Sequence, residues 1–538
     1  MNTDFISTIS GNSPDGQSLE RIRLDGHHPV AKTLSKIIPS LPVNSATLVV
    51  GGVGSGKTTG TLDAIADLYS NASFDSASIC FVSSRCAINA QIKRKLASQF
   101  GQDDITKRYT PLGLQQLDRV GPVIILTYHA LYSRILAHDA ELKSVDFFIF
   151  DEVHALATDA TFVGFTGALL QQIPRFFLKA RRIYLSATPD PILEPLAKAE
   201  VVPVKLYQFP IHYPAWKPIF YRSEEDLLRH LESLSPSEKA LLFIPTIAAG
   251  NALLRKLGHG QLISAETKIK EPEKWQDLLC SQTLNTRFTI TTSTLDAGVS
   301  LLDPALHHLA CSSFDLADII QQAGRKRLRA TETLSVYIPV PSAQEIGQKI
   351  SATSETLSLL YSAKSCPSSF ISNCILDSNP DLRRMCFLQD GQIKVNPLAI
   401  ARLEQQVTQL QTLLTAKRSH PLERSVYRAM GLHFPPDGFK YLGRNNSDSE
   451  IAHFQQWLST QAGSTIVNKD DFAATFMASY HACFGTREND RSDRQWGLNI
   501  IKRTLCELNW GFSIASKRGC WFISDARHVS TVGGDSNA

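Results

Sequence analysis

The chain has 538 residues, with 55 Lys+Arg against 51 Asp+Glu and a formal net charge of +4. Apolar residues make up 43% and charged residues 20%, which excludes wholesale disorder, a collagen-like repeat and a histone-like basic tail. The length suits about three domains, and so slight a positive balance permits nucleic acid as a partner without requiring it.

Residues 1–27 read as a flexible leader. Their first part, MNTDFISTISGNSPDGQ, is polar and lacks the charged-then-apolar order of a signal peptide. No stretch approaches the ~20 apolar residues a membrane helix needs, so a soluble cytoplasmic chain is expected. From residue 28 to 212, short β-rich runs alternate with helical patterns. The runs are Thr47–Val50, Ser78–Ser83, Val123–Thr127, Phe147–Phe150 and Ile183–Leu185, an order that predicts a parallel sheet covered on both faces. Phe209–Pro218 holds three prolines without periodicity and reads as a linker. A second block follows, residues 213–345, with runs at Ala240–Ile244, Phe288–Thr292, His308–Cys311 and Val336–Pro339.

Residues 346–538 change character, and helical patterns dominate. Asn396-Pro397 is a cap followed by proline at the first helical position. Ile400, Leu403, Val407, Leu410 and Leu414 then form one apolar seam, expected to pack on its own domain rather than in a coiled coil, which needs more heptads. Leu498, Ile501, Leu505 and Leu508 fall at helical spacing, and Phe512–Ser516 and Cys520–Ser524 read as strands around Lys517-Arg518-Gly519. That order, within about 485–525, resembles the end of a winged-helix domain. The final HVSTVGGDSNA reads as a disordered tail. There are ten cysteines and no C-x-x-C pair. Scattered reduced thiols are expected, even for the nearest cluster, Cys366, Cys374 and Cys386.

The chemistry is concentrated in the first block. Gly51, Gly52, Val53, Gly54, Ser55, Gly56, Lys57 and Thr58 spell G-x-x-x-x-G-K-T between the strand TLVV and a helical run. Glycines let several backbone N–H groups close on phosphate oxygens, and the helix start, with Thr59 next in line, adds a favourable dipole. Lys57 supplies charge at the outer phosphates and Thr58 a hydroxyl for Mg²⁺. Asp151 and Glu152 end the buried run Phe147–Phe150, where open α/β sheets bind ligands. One carboxylate for the metal, Asp151, and one to orient and deprotonate water, Glu152, is the division that phosphoryl transfer needs.

Asp151-Glu-Val-His154 is a DExH box, Ser186-Ala-Thr188 follows the next strand, and Gln321-Gln-Ala-Gly-Arg325-Lys-Arg327 closes the second block. In that order these motifs resemble superfamily-2 helicases and translocases over about residues 28–345. The resemblance implies two tandem RecA-like parallel-sheet domains that close on ATP and Mg²⁺, with nucleic acid lying across both, followed by the mainly helical region. It implies that Gln321, Arg325 and a second arginine face the phosphates, that Asp296 and Gly298, within Thr291–Leu301, face nucleotide or strand, and that His154, Ser186 and Thr188 couple hydrolysis to movement. Phe81–Gln91, Leu126–Leu131 and Phe243–Thr246 resemble strand-contacting and neighbouring motifs. The spacing Q-x-x-G-R-x-R is similar to herpesvirus-type origin-binding and plasmid replication helicases. The commoner spacing would put the last arginine at Leu328, so the second finger is Arg327, with Arg329 the alternative.

Ser83, Arg85, Thr127, Thr246 and Thr292 are polar residues at the ends of apolar strands. They are candidates for phosphate contacts, as a sequence-independent motor needs, and equally for turns or helix caps. Lys517 and Arg518 are candidates for a DNA contact or a structural cap. The expected activity is an ATP-dependent helicase or translocase, on DNA more readily than RNA, in replication of a plasmid, phage or similar element. The alternatives are an RNA helicase and a nucleotide-regulated origin-binding protein with little turnover.

Overall fold

The computed structural model describes residues 6–12, 18–24, 29–69, 79–84, 86–102, 104, 113–114, 117–296, 299–365, 379–389, 392–415, 420–435, 438–442, 448–484, 496–508, 510–517 and 519–525. Two parallel sheets dominate. The first has nine strands in the spatial order Ile6–Asn12, Ser18–Leu24, Val204–Gln208, Ser45–Val50, Arg181–Ser186, Phe147–Phe150, Ile79–Ser83, Val123–Thr127 and Arg119–Val120. Only its two outermost pairings are antiparallel. The second has six strands, all parallel: Trp216–Tyr221, Leu334–Pro339, Leu306–Ala310, Lys239–Phe243, Phe288–Thr291 and Gln261–Ile263.

Continuous apolar runs make these strands because both faces are covered. Leu48, Val50, Cys80, Val82, Phe148 and Phe150 point into one core of the first sheet. Their neighbours Val49, Ile79, Phe81, Phe147 and Ile149 point into another on the opposite face, as the two-residue period of a strand requires. The second sheet likewise divides its residues between two cores.

The leader expected over residues 1–27 is not separate. Ser18–Leu24 pairs in parallel with Val204–Gln208 and buries Ile22. Glu20, Arg21 and Arg23 dilute its hydropathy, which is why it does not read as a strand. The linker expected over Phe209–Pro218 is shorter than it reads, since Trp216 already begins a strand. Pro218 is tolerated because that strand lies at the sheet's edge.

The region after residue 345 is mainly helical. Its first long helices, Ala343–Ser365 and Pro397–Thr415, share a core with the first sheet through Leu357, Leu360, Leu398, Ile400 and Leu403. The next, Pro421–Ala429, joins the core of the second sheet through Leu422 and Val426. The last segment has its own core, around Phe454, Phe476, Trp496, Ile501 and Ile514. Its elements run helix Asp448–Gln461, strand Thr465–Ile466, helices Lys469–Phe484 and Leu498–Leu508, then strands Phe512–Lys517 and Cys520–Asp525. The three strands form one antiparallel sheet. Cys366, Cys374 and the tail after residue 525 lie outside the described residues. No helix among the described residues is long and apolar enough to cross a membrane.

Candidate active site at the cleft between the two sheets

The strand Ser45–Val50 turns into Gly51–Gly56 and then the helix Lys57–Tyr69. Gly54 and Gly56 have φ of 73° and 87°, a region that costs other residues strain. Lys57 is buried, and its ammonium donates to the carbonyls of Gly51 (2.7 Å) and Gly52 (2.9 Å). Thr59 is exposed at the helix start.

The Arg181–Ser186 strand separates the phosphate loop from the strand that ends at Asp151. Both loops nevertheless converge, because Thr58 Oγ1 donates to Asp151 Oδ1 at 2.9 Å. The backbone fixes the carboxylates from both sides: Asp151 N–H donates to Val82 O, Val153 N–H to Leu185 O, and Tyr128 hydroxyl to Asp151 O. Glu152 sits between them at a φ of 49°, a left-handed backbone that costs a non-glycine residue about 1–2 kcal/mol.

Charge is arranged unequally over the pair. Burial, and then the neighbouring Glu152, raise Asp151 to about 7. Burial pushes Glu152 the same way, yet His154, Lys57, Arg325 and Arg327 outweigh it and hold that carboxyl below its usual range. Burial lowers Lys57 and His154, each against the pull of Glu152.

His154 Nδ1 lies 3.1 Å from Ser186 Oγ and 3.3 Å from Glu152 Oε2. Ser186 Oγ in turn accepts from the Thr188 N–H at 3.1 Å. The DExH and SAT residues therefore form one continuous polar chain.

The second sheet supplies the opposite wall. Leu301 bridges Lys326 in a short parallel pairing: its N–H donates to Arg325 O, and the Arg327 N–H donates to Leu301 O. A strand-like segment alternates its side chains, so Arg325 and Arg327 share one side and Lys326 takes the other. Lys326 is buried against Asp303 O and Glu332. Arg325 is buried and donates to the Gln321 side-chain and backbone oxygens. Arg327 donates to Ser300 Oγ at 3.1 Å, and its Nη1 stands 2.7 Å from where a Cβ on Gly54 would lie. Gly324 presses on the loop as well: a Cβ there would meet Val53 Cγ1 at 2.3 Å. Arg329, the alternative finger, is exposed and beside Glu332.

Among the described residues, Ser55 Oγ, Thr188 Oγ1 and Gln321 Nε2 are buried polar atoms without a hydrogen-bond partner. Buried polar atoms are normally satisfied, so these three, on the phosphate loop, the turn after Ser186 and the helix before Arg325, are donors and acceptors left over for a polar ligand.

The expected strand-contacting residues fare unevenly. Ser83 is fully buried and donates to Asn89 at 2.7 Å, which removes it from any surface. Thr127 and Thr246 cap the helices that follow them, accepting from Ala130 and Ala249 N–H. Thr292 shares a hydrogen bond with Thr294. Lys517 is exposed at a strand end. Asp296 closes the short helix Ser293–Asp296. Its side chain, with Arg85, Gly298 and Arg518, lies outside the described residues. Reading the sequence missed Tyr213, whose hydroxyl accepts from the Val53 N–H at 2.5 Å, and Ser300. Tyr213 was hidden in the proline-rich linker, and Ser300 has no side-chain signature of its own.

Residues 27–191 match the family model described as Type III restriction enzyme, res subunit. No curated protein matches the chain. Among solved structures, S. cerevisiae Dbp5 bound to RNA and ADP BeF3 is 13% identical, with 72% of this chain and 98% of that chain covered and a TM-score of 0.45. The DEAD-box helicase Mss116 bound to ssRNA and UDP-BeF is 14% identical, over 89% and 85%, with a TM-score of 0.46. Mycobacterium smegmatis helicase Lhr bound to ssDNA and AMP-PNP is 15% identical, over 92% of this chain and 60% of that one, with a TM-score of 0.42. Likenesses this distant say nothing about substrate. With its phosphate loop, its DExH turn and a second parallel sheet facing them, the chain resembles the superfamily-2 helicases, and the family match places that resemblance in residues 27–191.

Proposed function

We propose that this chain is an ATP-driven motor on nucleic acid, acting on DNA in replication of a plasmid, phage or similar element. The observation that carries it is Arg327, which comes from the second sheet and stands on Gly54 of the first. A guanidinium placed there meets the terminal phosphate only when the cleft is shut, so charge stabilisation in the transition state is tied to domain closure. Residues 28–212 and 213–345 are the two motor lobes in this reading, and residues 346–538 the targeting region.

Each site residue then has a task. Gly51–Gly56 and Lys57 bind the phosphates. Glu152 holds the attacking water and takes its proton; Lys57, Arg325 and Arg327 nearby keep its carboxyl ionised and so able to accept. Arg327 is the finger, and Arg325, locked to Gln321, supports it. Thr58 and Asp151 would hold Mg²⁺; a hydroxyl beside a buried carboxylate is a fitting donor set, and the ion would neutralise charge on the transferring phosphoryl group. His154, Ser186 and Thr188 carry changes at Glu152 to the neighbouring strand.

The last segment has the helix–strand–helix–helix–strand–strand order of a winged helix. Asn499 and Lys502 are exposed on the helix Leu498–Leu508, and Lys517 on the following strand. That surface supports a duplex-DNA contact, through which the targeting region would select its site.

The test is ATP hydrolysis by the full chain with single-stranded DNA, duplex DNA or RNA added, beside strand displacement on substrates with 3′ or 5′ tails. DNA-stimulated turnover, abolished by K57A and E152Q, is expected. Stimulation by RNA alone would make the chain an RNA helicase. Wild-type turnover in E152Q would remove the water base assigned here.

A further inference from the structure

Tyr213 belongs to none of the motifs, yet it touches the phosphate loop at its most sensitive point. It lies on the segment that crosses from the strand Val204–Gln208 of the first sheet to Trp216–Tyr221 of the second. Its hydroxyl oxygen accepts from the Val53 N–H, and it leans over Gly52 so closely that a Cβ there would stand 2.9 Å from it. The Lys57 ammonium is tied to the carbonyls of Gly51 and Gly52. Lysine and tyrosine thus attach to adjacent peptide groups of the same loop.

Since the oxygen is accepting from Val53, its own proton is directed elsewhere. Among the described residues it has no acceptor.

The other end of the residue is tied to the second lobe. Its ring stacks on Trp216 with centroids 3.9 Å apart and planes 7° from parallel. The Tyr213 N–H donates to Met430 O, and the Trp216 N–H to Tyr213 O. Trp216 is itself a core residue of the second sheet.

We infer that Tyr213 is a substrate-positioning residue, whose hydroxyl donates to an oxygen of the terminal phosphate and whose ring carries the presence of that phosphate to the second lobe. The inference rests on the reading of the cleft as an ATP site. ADP lacks the acceptor, so the residue separates ATP from ADP. No bond is made or broken through it.

The experiment is Y213F in the full chain, with kcat and KM for ATP and separate binding constants for ADP and a non-hydrolysable ATP analogue. Phenylalanine keeps the stack on Trp216 and removes only the hydroxyl. A hydrogen bond to a charged phosphate oxygen predicts a roughly ten- to hundredfold fall in kcat and in analogue affinity, with ADP affinity unchanged. Wild-type kcat together with an unaltered preference for the analogue over ADP would overturn the inference. A second readout uses the wild-type protein, so it holds even if Y213F folds poorly. Tryptophan fluorescence should change with the analogue and not with ADP, and W216F should lose that change. An equal response to both nucleotides would count against the assignment. If the wild type neither binds nor hydrolyses ATP better than K57A, the ATP-site reading fails instead, and the two failures are distinguishable.

Discussion

Alanine at Gly324 should make the protein slightly more stable and far less active. Gly324 closes the helix Leu316–Ala323 with φ −66° and ψ −9°, a conformation alanine adopts freely. Reducing the freedom of the unfolded chain there is worth about 0.4–1 kcal/mol. The new Cβ, however, would stand 2.3 Å from Val53 Cγ1 and 2.8 Å from Val53 Cβ. Two carbons need about 3.5–4.0 Å, so the loop and the Gln321–Arg327 segment must part by roughly 1 Å or more. Arg325 and Arg327 follow Gly324 directly and would move with it. A displacement of that size at a reacting centre costs on the order of 10²-fold in rate. The assay pairs a thermal melt without nucleotide with ATP turnover at saturation. V53A in the G324A background removes the nearest clashing atom and should restore part of the loss. Wild-type turnover in G324A would refute the idea that this contact closes when the reaction occurs.

Three further outcomes follow from the same geometry. R327A should reduce turnover by about 10³-fold or more, as loss of an arginine finger does, and R325A should reduce it less because that side chain is bonded to Gln321; steady-state rates decide the order. D151N should melt above the wild type at pH 8 when neither nucleotide nor metal is present. Asp151 titrates near 7 in the folded chain against an ordinary 3.8, so its ionisation destabilises the fold progressively as pH rises from about 4 to 7, by a few kcal/mol; the gap between the two proteins should close below pH 4. N396A should lower stability by about 2–4 kcal/mol in urea denaturation, since the two N–H groups of the buried Asn396 amide are shared among the Ala160, Val163 and Thr166 oxygens and its oxygen accepts from Gly167 and Leu398 N–H.

Much of this architecture is legible in the sequence because buried parallel strands are apolar runs, and the phosphate loop and the DExH turn each lie within one such strand and its continuation. Phe147–Phe150 is read correctly to the residue. What escapes is whatever depends on a distant partner. Ser18–Leu24 is too charged to announce itself, and only the strand Val204–Gln208 makes it part of a sheet. Ser83 has the right type and place for a phosphate contact, but Asn89 claims its hydroxyl. The spacing of Arg325 and Arg327 looks like a departure in a linear motif. It becomes intelligible once Leu301 pairs with Lys326, because residues two apart in an extended segment face the same way.

The helix Pro397–Thr415 shows how far a correct local reading can fall short. Its cap, its proline and its apolar seam are where the sequence puts them. Ile400, Leu403 and Leu410 are buried, while Leu414 at the end of the seam is 38% exposed. Yet the helix does not pack on a domain of its own. Asn396 fastens its start to the first lobe. One turn later the buried Arg402 donates to Asp315 at 2.6 Å. Asp315 caps the helix Leu316–Ala323, and that helix delivers Gln321 and, just beyond it, Arg325. The same short helix therefore holds the first lobe with an amide and the arginine-bearing wall with an ion pair. An amide whose two N–H donors and oxygen are all engaged by the first lobe and the helix start is a fixed point. The Arg402–Asp315 pair is mostly buried, its side chains 6% and 17% exposed, so parting it would strand a charge at a cost of about 3–5 kcal/mol, and the helix is held to both walls.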